Sequence, residues 1–190
     1  MKKLFVAAAA VAVLAIFVNE FLDVDPANAQ SGSRGFGGSE TRSEVQRTER
    51  SFESRFWDWL QRVDYTNWAP YPGATANAYP GQSPHGAFLK MYLNRIAAGQ
   101  PKKLPQGSIL VKENYGKDGE TLMAVTVMYR SQGYDPEHYD WYWVKYMPDG
   151  SVARTPPEKG SKLIRGRFPS CINCHAGSEG DDFAFVNDGN

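Results

Sequence analysis

The chain has 190 residues, with 21 basic and 21 acidic side chains and a formal net charge of zero. That balance argues against nucleic acid as a partner, which needs a basic surface. Without residues 1–29, which carry Lys2, Lys3, Glu20, Asp23 and Asp25, there remain 161 residues and a net charge of +1, a size for one domain with its own core and no second.

Lys2 and Lys3 precede an apolar run from Leu4 to Val18, and Ala27-Asn28-Ala29 forms a small-x-small cleavage site before Gln30. This reads as a secretory signal peptide over residues 1–29. The competing reading is a membrane anchor, but the run is short for a span and Glu20, Asp23 and Asp25 follow it directly. Residues 30–40 are Gly- and Ser-rich and read as a flexible leader, with a domain over 41–190 after it. Thr41 with Glu44 fits a capping box, and Val45, Phe52, Phe56, Trp59, Leu60 and Val63 recur at helical spacing. An amphipathic helix is therefore expected over 42–63.

Residues 64–86, with Tyr71-Pro72-Gly73 echoed by Tyr79-Pro80-Gly81, read as an aromatic loop. Strands are expected over 87–94, 108–115, 121–129 and 140–147, with a shorter one after Ser151 and a helical turn over 96–99. Lys117-Asp118-Gly119 and Pro148-Asp149-Gly150 are hairpin-length turns, so the sheet should be antiparallel. The expected class is α+β: mainly antiparallel sheet, an N-terminal amphipathic helix and a cofactor attached near the C-terminus.

That cofactor is read from Cys171-Ile172-Asn173-Cys174-His175, which holds the only two cysteines. Two thiols at this spacing can add to the vinyl groups of a haem while the adjoining imidazole binds its iron, so the string points to one covalent haem c. A thioredoxin-like couple would need a long helix after the motif, yet only fifteen Gly- and Asp-rich residues follow. Zinc would want a fourth ligand, and the other histidines, His85 and His138, stand in unrelated contexts. A plain disulfide remains the main rival. Covalent haem attachment takes place outside the bacterial cytoplasm, so motif and signal peptide agree on the periplasm.

With Pro84-His85-Gly86 leading into Lys90-Met91-Tyr92-Leu93-Asn94, then Leu104-Pro105 and Gly107-Ser108-Ile109-Leu110-Val111-Lys112-Glu113, then Asp140-Trp141-Tyr142-Trp143, Pro148-Asp149-Gly150 and the closing haem motif, the chain resembles the cytochrome P-460 family, including its cytochrome c′-beta branch. The resemblance runs from about Trp68 to Asp182. It implies a homodimer carrying one five-coordinate haem c, with His175 as proximal ligand and an open opposite side. In the enzymes of the family a lysine is cross-linked to the macrocycle and the iron oxidises hydroxylamine. The cytochrome c′-beta branch lacks that lysine, lines the distal pocket with phenylalanines and binds nitric oxide or carbon monoxide.

Lys112 matches the family position and, by alternation, shares a face with Leu110; its plainer reading is a solvated strand lysine. Lys90, on the face of Phe88 and Tyr92, is the reserve. Phe88 is a candidate pocket residue whose plainer reading is ordinary core. His85 is either a distal ligand or acid–base group, or a histidine that hydrogen-bonds its loop in place. Met91, Met123, Met128 and Met147 are possible sixth ligands of an electron-transfer haem, and ordinary packing otherwise. Glu137, His138 and Asp140, which precede the Trp-rich strand, are candidate proton acceptors, with a polar turn as the alternative. Three functions follow: hydroxylamine oxidation with electrons passed to a periplasmic redox partner, binding of a diatomic gas, or simple electron transfer.

Overall fold

A computed structural model describes residues 50–71, 77–179 and 182–188. The expected signal peptide, the leader, the Thr41–Glu44 capping box and residues 42–49 of the expected helix lie outside the described residues. Within them the chain is α+β, with three α-helices and one seven-stranded antiparallel sheet.

Helix α1 spans Phe52–Arg62, and the Ser51 hydroxyl caps it by accepting from the Ser54 N–H at 3.2 Å. Phe52, Phe56 and Leu60 recur every fourth residue, so they form one stripe, and all three are buried. Each fully buried side chain of this kind contributes about 1.5–3 kcal/mol.

The strands are β1 (Ala69–Tyr71), β2 (Tyr79–Pro80), β3 (Phe88–Leu93), β4 (Ile109–Tyr115), β5 (Leu122–Arg130), β6 (Trp141–Tyr146) and β7 (Arg165–Gly166). They lie in the order β1-β3-β4-β5-β6-β7, with β2 also pairing with β3. Strands β3 to β6 fall within one residue of their expected ends. Two edge strands, β1 and β2, occupy the stretch expected to be loop, where Pro70 and Pro80 hide them; proline has no ladder donor and is tolerated at edges. Helix α2 (Arg95–Gly99) is the expected turn, capped by the Asn94 carboxamide. Asp118 Oδ1 closes the β4–β5 hairpin by accepting from the N–H groups of Glu120 and Thr121, both at 3.0 Å.

The register divides the sheet into two unlike faces. One row reads Met91, Lys112, Thr126, Lys145 across β3 to β6, and the next reads Leu93, Leu110, Met128, Trp143. On the opposite face stand Tyr92, Val111, Glu113, Val125, Tyr129, Tyr142 and Tyr146, since successive residues alternate. Helix α1 covers that second face: Phe52 meets Tyr142 at a ring-centre distance of 5.0 Å, and Phe56 meets Tyr129 at 5.8 Å. Glu53 clasps the two layers. Its carboxylate accepts from the Tyr142 hydroxyl at 2.5 Å and from Arg165 at 2.7 Å, and its backbone carbonyl accepts from the Tyr146 hydroxyl at 2.8 Å.

Candidate functional site

Helix α3 spans Pro169–His175, with proline at its first turn, where the missing N–H costs nothing. On a helix, positions 171, 174 and 175 fall on one side. That geometry turns both sulfurs and the imidazole toward the first face of the sheet. A cavity of about 600 Å³ lies there, lined among others by Leu89, Met91, Leu110, Lys112, Trp143, Lys145, Cys171, Cys174 and His175. This is within the range of cavities that hold whole cofactors.

His175 is buried, and its Nδ1 is 2.8 Å from the Phe183 carbonyl. A carbonyl only accepts, so Nδ1 carries the proton and Nε2 keeps a lone pair. Burial, with the positive charge of Lys112 adding to it and the Phe183 hydrogen bond opposing, pushes the imidazole down to about 4. The ring is therefore neutral at ordinary pH and able to bind a metal through Nε2. Hydrogen bonding of the other ring nitrogen to a carbonyl is how metal-binding histidines are oriented. Phe183 adopts a left-handed backbone, φ 62°, a conformation that costs about 1–3 kcal/mol outside glycine and clusters at functional sites. The segment is held from the sheet side, where the Trp141 Nε1–H donates to the Asp182 carbonyl at 2.8 Å. Trp143 and Phe185 flank the imidazole, at ring-centre distances of 4.6 and 5.1 Å.

Both cysteines are free thiols. Burial pushes Cys171 up to about 11, with Lys145 opposing, so this sulfur is held as a thiol. Lys112 lines the cavity as alternation with Leu110 predicts, and burial holds its ammonium below the ordinary lysine range, with Cys174 opposing. Among the described residues no group of three or more His, Cys, Asp and Glu side chains could hold a metal ion. One imidazole beside an apolar hollow fits a macrocycle that brings its own equatorial nitrogens. A further fit is the Trp143 Nε1–H, a buried donor without a hydrogen-bond partner among the described residues, of the kind a bound group with acceptor oxygens would satisfy.

Other expected site residues lie elsewhere. Phe88 is corrected by the register: Leu89 and Met91 face the cavity, so Phe88 faces away, against the Gly119 turn. Lys90 shares that outward parity and stacks its ammonium over the Tyr115 ring at 5.2 Å. Glu137 is exposed on a short 3-10 turn. Asp140 closes the preceding loop, accepting from the Asp135 N–H at 3.1 Å and from Gln106 at 2.8 Å. Neither carboxylate lines the cavity, and no Asp or Glu does among the described residues. Met91 and Met128 line it, whereas Met123 and Met147 are exposed. Lys145 and Trp143 were missed as site residues, although both follow from alternation along β6. Neither a protein-family model nor a curated protein matches the chain.

Proposed function

We propose that this chain is an exported mono-haem c oxidoreductase of the cytochrome P-460 type that oxidises hydroxylamine. Cys171 and Cys174 hold the haem, His175 binds the iron and Lys112 lies against the macrocycle. The observation that carries this reading is that these four side chains line one cavity. When bound, the haem supplies one-electron chemistry at iron. Attachment is an addition in which each S–H crosses a vinyl C=C, forming an S–C bond and a C–H bond with no net electron loss.

The protein groups have separate tasks. The Phe183 carbonyl keeps Nδ1 protonated and presents Nε2 of His175. Trp143 and Phe185 shield that ring from water. Burial favours the neutral, nucleophilic amine of Lys112; a bond from it to a bound macrocycle would replace one N–H and one C–H, with a peroxide-class oxidant taking the two electrons and two protons. Oxidation of hydroxylamine to nitric oxide releases three protons and three electrons, the electrons going to a periplasmic one-electron acceptor. Among the described residues no carboxylate lines the cavity, whose basic side chains include His85, Lys112 and Lys145.

Tryptic mass spectrometry tests this. No lysine or arginine follows Arg167, so the haem is expected on peptide 168–190, and a modified Lys112 joins peptide 104–117 to it. Peptide 168–190 at its bare sequence mass would sink the reading. The apolar lining by Leu89, Met91, Leu110 and Met128 favours one second reading, capture of nitric oxide or carbon monoxide without turnover. An attached haem with an unmodified Lys112 and no hydroxylamine consumption would select it.

A further inference from the structure

A second imidazole stands in the cavity. The ring centre of His85 lies 6.4 Å from that of His175, with the planes at 81°. Its Nδ1 is 3.0 Å from Asn114 Oδ1. The orientation of that carboxamide is fixed, because Asn114 Nδ2 donates to the carbonyls of Lys112 at 2.9 Å and Ala124 at 3.2 Å. Oδ1 is thus the acceptor and His85 Nδ1 the donor, which leaves Nε2 with the lone pair. His85 and His175 therefore match: each has Nδ1–H held by a protein oxygen, and neither Nε2 is hydrogen-bonded to a described residue.

Resting on the haem reading above, we propose that His85 is the second axial ligand of the resting haem iron, so that a small molecule reaches the metal only when His85 leaves it. Distance decides between this and an open site. Two imidazoles on one first-row metal, at about 2 Å per bond, put their ring centres roughly 6 Å apart. A substrate bound to iron and hydrogen-bonded to His85 would need roughly 2 Å or more beyond that. The observed 6.4 Å fits ligation and leaves no room for the substrate. His85 is also placed to leave. It sits in a loop between β2 and β3, half-buried, and among the described residues its side chain is hydrogen-bonded to Asn114 alone.

The test uses the intact haem protein. Electron paramagnetic resonance and visible spectra of the resting ferric form should be low-spin, with the signature of two imidazoles. His85→Ala should be high-spin and five-coordinate. Mixing ferrous protein with carbon monoxide should give a rate that levels off with concentration in the wild type, set by departure of His85. In His85→Ala the rate should rise linearly and be at least about tenfold faster, the factor by which a dominant closed form lowers access. A high-spin resting wild type overturns the inference even if the variant does not fold. So does a low-spin signal that persists in His85→Ala, and one lost only in Lys112→Met would assign the position to that amine. Bare peptide 168–190 overturns both readings, whereas haem on that peptide with a high-spin spectrum overturns only this one.

Discussion

Glu53→Ala tests whether the clasp between α1 and the sheet is separate from the cavity side. Glu53 and Tyr142 are 4% and 3% exposed, so removing the carboxylate strands a buried hydroxyl, which costs about 1–3 kcal/mol. The Arg165 side chain is 44% exposed and can rehydrate, so its loss is held below about 1 kcal/mol. With the methylene also gone, at about 0.8 kcal/mol, the expected total is about 2–5 kcal/mol. For a urea dependence of roughly 1.5 kcal/mol per molar, the midpoint should fall by about 1–3 M. Glu53→Gln keeps an acceptor for Tyr142 and should lose about 1 kcal/mol. The pH dependence has a definite sign. Burial alone would raise the carboxyl, but the hydrogen bonds from Tyr142 and Arg165 outweigh it and hold the folded value below the ordinary one. Its contribution is complete above the unfolded value of about 4.3 and disappears as pH falls through the lower folded value. A midpoint shift under about 0.5 M in Glu53→Ala, or a changed haem spectrum with an intact fold, would refute the reasoning.

Three further outcomes are expected. Lys112→Met should make the haem-free chain more stable at neutral pH; because burial lowers the folded amine, wild-type stability rises with pH toward about 10.4, and urea titrations of the variant should lack that rise. In Gly86→Ala the added methyl would meet the backbone of Asn114 and Tyr115 in β4, which cannot give way, so the loop should lift, His85 should part from Asn114 and the low-spin fraction of the holoprotein should fall. Gly150 has φ +84°, and a methyl there would overlap the Trp57 indole; Gly150→Ala should cost about 2 kcal/mol or more, and a thermal midpoint unchanged within a degree would contradict the packing described.

The alternation of 108–115 and 121–129 made β4 and β5 legible and put Lys112 on the face of Leu110, because side-chain direction in a strand is a local property. Which face lines the cavity is not local. Phe88 stands close after Pro84-His85-Gly86, but Leu89 and Met91 carry the inward parity, and only pairing with β4 reveals this. Glu137 and Asp140 are acids before a Trp-rich strand, but Asp140 spends its oxygens on closing a loop, the plainer reading of such residues. His85 is tied to Asn114 and faces His175 across large separations in sequence, so no window of the chain could show its setting. Strand β7, only Arg165–Gly166, carries no periodicity to detect.

Lys112 and Glu113 are neighbours in the chain, yet the sheet sends them to opposite sides, the amine into the cavity and the carboxylate among the hydroxyls of Tyr65 at 3.0 Å and Tyr115 at 2.7 Å. If β4 slipped by one residue against both partners, the pair would change places. An acid would then face the cavity, and an ammonium would stand where the tyrosines offer protons. Both errors would be punished at once, in separate compartments. The dipeptide thus acts as a polarity key for β4: it makes the wrong alignment electrostatically expensive on two fronts and helps select a single strand pairing before any cofactor arrives.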